Sequence, residues 1–283
     1  MPFRTSCTKT YKFLNLHKIM QMFLRTLLAA YLGHLVADFV FQTRRLVDAK
    51  LRGRPSAYLL HGLIHYLSSV LLVAFFVPGS IVALRTHLVI AALALVHLLI
   101  DSAKVQLSAK RAIGGGAGPY VADQLVHLLT VALAAWLLSP GMSFTALSAP
   151  LQASRNLGNK FLVVPVIYIA VIFGGGYLIR FLMVSLTESV KDEELEKAGE
   201  QLQSAGLYIG WLERFLILTA LLLRSPAAVG LILTAKAITR YPEFKSARFA
   251  EYVLIGTLLS VSLAFVGAVF LAWLFFGTAR VSG

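Results

Sequence analysis

One cysteine, Cys7, occurs in 283 residues. That excludes a disulfide framework and any metal site built from several thiolates, so metal chemistry would have to use histidine and carboxylates. Charge is also scarce: 14% of residues are charged against 58% hydrophobic, with a mean hydropathy of +0.77, which excludes a soluble globule with a polar surface. Carboxylates are scarcest of all, for residues 21 to 139 contain no glutamate and only Asp38, Asp48, Asp101 and Asp123. The charge that remains is one-sided, with 26 Lys and Arg against 13 Asp and Glu and a formal net charge of +13. It lies in loops beside apolar runs, which points to a bilayer with anionic headgroups as partner and away from nucleic acid.

Long apolar runs are what the sequence has in abundance. Runs of the roughly 20 residues that a spanning helix needs lie near 21–42, 57–77, 86–107, 119–139, 161–186 and 251–276. Two shorter runs, 207–223 and 226–239, are broken by Arg224-Ser225-Pro226 and read as two more spans, with a re-entrant hairpin as the alternative. The expected fold is all-α, a polytopic transmembrane helical bundle of about eight spans. A basic N-terminal extension occupies 1–20. It precedes an apolar run without a cleavage site, so the run reads as a retained span, and Met20 or Met22 would serve as an alternative start. A four-helix membrane domain follows at 21–139, a loop at 140–160, and C-terminal membrane helices over 161–283 with a charged surface helix at about 187–206.

The few polar residues of the first four spans are not scattered. His34/Asp38, His61/His65, His97/Asp101 and Asp123/His127 are each spaced i, i+4, one pair per span. On an α-helix that spacing puts both side chains on one face, about 5 to 6 Å apart, where they can chelate one ion. The pairs alternate between the C-terminal and N-terminal ends of successive spans. Because successive spans run in opposite directions, all four pairs fall in one layer near one membrane face. Polar residues in spans are expensive and are normally turned inward. The eight are therefore candidate metal ligands, with Asp38, Asp101 and Asp123 also candidate catalytic groups.

This donor set suits zinc or another divalent transition ion. Three aspartates and five neutral histidines leave a deficit of one charge with one divalent ion and an excess of one with two. A hydroxide would cancel that excess, which favours two ions over one. Gln42, Lys104 and Gln124 are candidates for orienting ligands or contacting substrate, Lys104 as an ion-pair partner of Asp101, a phosphate contact or a snorkelling lysine. Arg44, Arg45, Lys50, Arg52 and Arg54 flank the layer and could hold an anionic headgroup. His87, beside Arg85, reads as interfacial. Glu213 and Lys236 read as an intramembrane salt bridge, "GGGAG" at 114–118 as a loop, and "GGG" at 174–176 as a packing or kink site.

"GHLVADFVFQT", "HGLIH", "VHLLIDSAK" and "DQLVHLL" resemble the bacterial membrane family catalogued as domain of unknown function 3307 over roughly residues 22 to 135. "GWLERFLILTALLL" with "AEYVLIGTLLS" resembles the C-terminal half of its longer members. That resemblance implies a bacterial inner-membrane protein and carries no activity with it. More distantly, the His-x-x-x-Asp pairs resemble YdjM-like membrane metal-dependent hydrolases and the helical zinc phospholipase C and P1-nuclease group, although this chain lacks the N-terminal Trp ligand. Those relatives imply cleavage of an ester or phosphoester in a lipid-like substrate. A proton- or metal-coupled transporter or channel, and a non-catalytic component that uses polar pairs for helix packing, are the alternatives. The site-side loops 43–56 and 102–118 carry five and three Lys and Arg, and with Lys236, Arg240, Lys245 and Arg248 they place the site on the cytoplasmic side. The sequence indicates no oligomeric state.

Overall fold

A computed structural model describes residues 3–109, 116–142, 157–188, 193–240 and 247–276. Of the expected loop at 140–160, residues 143–156 lie outside the described residues and 157–160 are helical; of the expected loop at 114–118, residues 114–115 lie outside and 117–118 are helical. All regular structure among the described residues is helical. Among the described residues, six helical segments are long and apolar enough to cross a membrane: Lys18–Val40, Pro55–Phe76, Leu84–Leu107, Ala117–Leu137, Asn159–Val184 and Ala250–Phe276. The chain is an all-α, multi-pass membrane protein.

The helices fall into two compact units. The first contains α1 (Phe3–Leu35), α2 (Arg44–Leu51), α3 (Pro55–Phe76), α4 (Leu84–Ala109), α5 (Ala117–Leu137) from Asp123 onward, and α6 (Leu157–Ile169) to Val166. α1 runs on from the basic extension without a break and ends in a π turn at Val36–Val40. Thr43 caps α2, its hydroxyl accepting from Leu46 N–H at 3.4 Å, and Pro55 starts α3 where a missing N–H costs nothing. α3 is inverted relative to a helix of a soluble protein. Leu59, Leu63, Leu67, Leu71 and Phe75 are exposed at i, i+4 spacing, while His61, His65, Ser68 and Ser69 are buried. A bilayer rewards that sidedness, since lipid accepts the leucines and the polar groups must find partners inside. Gly33 lets α1 and α3 approach, for a Cβ there would stand 2.8 Å from the Ser69 Cα.

The second unit contains the first turns of α5 and everything described from Ile167 on: α7 (Gly175–Glu188), entered through a π turn at Ala170–Gly174, α8 (Glu193–Leu222), α9 (Pro226–Arg240) and α10 (Ala247–Phe276). The charged stretch read as a separate surface helix at 187–206 is, from Glu193, the first half of the 30-residue α8, which continues through the short apolar run 207–222. α9 contains the shorter apolar helix Pro226–Thr239. Lys236 makes a salt bridge to Glu213. Arg214 instead donates to the Ile172 carbonyl at 2.8 and 3.1 Å and to Ser260 Oγ at 3.2 Å. The glycine run is a packing site: a Cβ on Gly176 would stand 2.6 Å from Arg214 Nη2, and one on Gly175 would collide with Leu263.

Candidate metal centre

All eight His and Asp residues of the four pairs meet in the first unit. His34 comes from α1, Asp38 from the π turn, His61 and His65 from α3, His97 and Asp101 from α4, and Asp123 and His127 from α5. The five imidazoles are buried, at 0 to 4% exposure. Asp38 and Asp101, at 11 and 15% side-chain exposure, form the more open end.

The π turn matters because it changes what Asp38 faces. Its Oδ1 accepts from His65 Nε2 at 2.9 Å and lies 3.3 Å from His61 Nε2 and 3.5 Å from His97 Nε2, while Oδ2 faces His34 Nε2 at 3.5 Å. Asp101 Oδ2 faces His61 Nε2 at 3.5 Å and His97 Nε2 at 3.7 Å, and its Oδ1 faces His127 Nε2 at 3.8 Å. Asp123 Oδ1 stands 3.6 Å from His127 Nε2. Three overlapping groups result, each with donor atoms within 4.8 Å of one another: His34, Asp38, His65 and His97; His61, His97 and Asp101; and Asp101, Asp123 and His127. A tetrahedral ion with ligands at about 2.0 to 2.2 Å sets neighbouring donor atoms about 3.3 to 3.6 Å apart. Most of the separations here fall near that range, too long for good hydrogen bonds and right for donors that share a cation.

The unpaired nitrogens point the same way. His34 Nε2, His61 Nδ1 and His127 Nε2 are buried without a hydrogen-bond partner, which a native interior normally avoids. A cavity of about 10 Å³ lies among His34, His65, His97 and His127, also lined by Ser69 and Thr130, and is the size of one water or ion. His87 is the contrast. Its Nε2 donates to the Ile81 carbonyl at 2.8 Å, so its Nδ1 accepts from Tyr66 OH at 2.8 Å, and it stands satisfied outside the cluster.

Two lysines enter the centre, one of them unexpectedly. Its place in a charged loop groups Lys50 with the arginines that could hold a headgroup. It is instead buried on the inner face of α2, one turn beyond Leu46, and donates to Asp101 Oδ2 at 2.6 Å. Lys104 pairs with Asp123 Oδ2 at 2.7 Å and not with Asp101, because α5 brings the carboxylate to it. Gln124 Nε2 donates to the same Asp123 oxygen at 3.3 Å. Gln42, with its amide oriented to satisfy both ends, accepts from Lys50 Nζ at 2.6 Å and donates to the Asp38 carbonyl at 3.1 Å. Tyr58 was not anticipated either; its hydroxyl donates to the Lys50 carbonyl at 3.4 Å. The signal for Lys50 was the Leu46-x-x-x-Lys50 spacing, which sets both on one face of a short helix.

The arrangement gathers three carboxylates and five imidazoles in one buried cluster, with Lys50 paired to Asp101 and Lys104 to Asp123, and could hold a metal ion. Comparison with curated proteins and with solved structures finds no match. The family model described as "Protein of unknown function (DUF3307)" matches residues 12–153, the segment that carries all eight His and Asp donors together with Lys50 and Lys104, and the chain belongs to that family.

Proposed function

We propose that this membrane protein holds a divalent metal ion, with zinc the best fit to the donor set, and hydrolyses an ester or phosphoester in a lipid-like substrate. The observation that carries the reading is the pair of buried, unpartnered imidazole nitrogens, His34 Nε2 and His127 Nε2, within a network of donors at metal-shell separations. A bound ion would polarise the scissile group and activate water near neutral pH. Asp38 and Asp101 lie at the open end, where a substrate arrives, and a carboxylate oxygen left outside the coordination shell there can take the proton from water. Lys50, on Asp101, would offset negative charge that a phosphoester brings.

With both lysines counted, the charge balance differs from the sequence-based one. Three aspartates and two lysines leave a net −1, so one divalent ion gives +1 and two give +3. The reading therefore takes one ion per chain. Elemental analysis of purified protein, paired with hydrolysis of ester and phosphodiester lipids before and after chelation, tests it. Near-stoichiometric metal and chelator-sensitive turnover support it, and protein that is metal-free after growth in zinc sinks it.

A second reading has one observation in its favour. His61 Nε2 and His97 Nε2 stand 3.0 Å apart, and His97 Nδ1 and His127 Nδ1 3.2 Å apart, a continuous imidazole chain of the kind that relays protons. Proton flux in metal-free liposomes, abolished by His97→Phe, would select that reading over hydrolysis.

A further inference from the structure

α2 has two charged faces with different fates. Lys50 turns inward, while Arg45, Asp48 and Arg52, with Ala49, line an open cleft of about 210 Å³ together with Arg54. Arg45, Asp48, Ala49 and Arg52 are spaced i, i+3, i+4 and i+7, so one face of the helix makes the wall. Arg54 is brought beside them by the turn that ends α2. Gly53 N–H donates to the Lys50 carbonyl at 2.8 Å and Arg54 N–H to the Ala49 carbonyl at 3.1 Å, a Schellman closure that requires the left-handed φ of +67° at Gly53. The cleft is thus held by backbone hydrogen bonds as well as by flexible side chains.

Its charge is unbalanced. Three guanidiniums and one carboxylate leave +2, and no salt bridge ties Arg45, Asp48, Arg52 or Arg54 among the described residues. Planar guanidinium groups are the donors that match phosphate oxygens in pairs. The depth also fits. α2 joins the end of one span, Lys18–Val40, to the start of the next, Pro55–Phe76, which is the layer where phospholipid phosphates lie. From Arg54 to His61 is seven residues, about 10 Å of rise along α3, which is the axial offset between the cleft's edge and the His/Asp centre.

We propose that the cleft formed by Arg45, Arg52 and Arg54 binds a phosphate group, either that of an anionic lipid or that of a soluble phosphoester, and so presents substrate to the neighbouring centre. The presenting role rests on the hydrolase reading, whereas the binding does not. Full-length protein in phosphatidylcholine nanodiscs is titrated with short-chain phosphatidic acid, short-chain phosphatidylcholine and inorganic phosphate. Saturable binding of phosphatidic acid is expected, weakened about tenfold or more in Arg45→Gln/Arg54→Gln and within about twofold of wild type in Arg85→Gln, an exposed arginine near the other end of α3 that does not line the cleft. Competition by inorganic phosphate identifies a soluble phosphoester as sufficient; failure to compete assigns the site to the lipid. Metal content and melting temperature of each variant report that the fold is intact. Equal loss in Arg85→Gln, or wild-type affinity in the double variant, would overturn the proposal, as would absence of binding by every phosphate probe. Binding that persists in a protein shown to lack metal would leave the cleft standing and remove the hydrolase reading alone.

Discussion

Asp38 stands closer to His65, on a different helix, at 2.9 Å, than to His34, its neighbour four residues along the same chain, at 3.5 Å. The i, i+4 logic that singles out the pair therefore undersells the carboxylate. A π turn accommodates an extra residue per hydrogen-bonded loop and so re-aims the side chain it carries. Asp38 becomes the hub on which α1, α3 and α4 converge.

Removing that hub gives the first prediction. Asp38→Asn keeps the shape of the side chain but loses the negative oxygen that three imidazoles face, so metal content should fall to near zero. The measurement is elemental analysis of purified variant. If only an interhelical hydrogen bond were at stake, the change would cost about 0.6 kcal/mol of stability and metal would be retained.

Lys50 and a metal ion make opposed demands on Asp101. Lys50→Met should raise metal affinity by freeing Asp101 Oδ2, while Asp101→Asn should lower both metal content and stability by stranding a buried ammonium, at about 3 to 5 kcal/mol. Titration with a chelator of known affinity and thermal unfolding in detergent read the two effects. Weaker metal binding in Lys50→Met would count against the competition.

His87 supplies a control inside the same membrane domain. His87→Gln breaks hydrogen bonds to Tyr66 and the Ile81 carbonyl, and should lose about 1 kcal/mol of stability with no change in metal content. A parallel loss of metal would mean that the cluster extends farther than its geometry indicates.

Close helix approach is a separate requirement. Gly33→Val would drive a side chain into the Ser69 backbone, parting α1 from α3. About 1 to 3 kcal/mol of overpacking is expected, with metal loss although no ligand is touched. Retained metal would show that the site tolerates a looser crossing.

Orientation is tested by labelling. With Cys7 replaced by serine, Ser56→Cys, at the exposed start of α3, should resist an impermeant thiol reagent in intact cells and react after permeabilisation. Labelling of intact cells would put the centre on the other side of the membrane.

The six long spans and the gathering of the eight His and Asp residues were legible because both rest on local periodicity: apolar runs of spanning length, and polar pairs one helical turn apart. Lys50 escaped because a charged eight-residue helix between two spans has the composition of a loop, and only its packing against α3 decides which face is inside. The partner of Lys104 was hidden for a related reason. Spacing on α4 favours Asp101, but Asp101 is already taken by Lys50 and α5 supplies Asp123. The fusion of the charged stretch with the run 207–222 into α8 was hidden by the change of composition midway, since nothing between Glu193 and Leu222 breaks a helix. Neither π turn has a signature in residue type.

The inverted sidedness of α3 bears on how the protein is made. A helix with leucine outward and histidine inward can settle in lipid before its neighbours arrive, but each carboxylate that enters alone costs about 2.5 to 3.5 kcal/mol. Lipid-facing leucines give no reason for helices to associate, because acyl chains suit them equally well. The drive to assemble in this unit therefore comes from the polar residues that made insertion difficult, and biogenesis should stall at separate inserted helices whenever those residues cannot find one another.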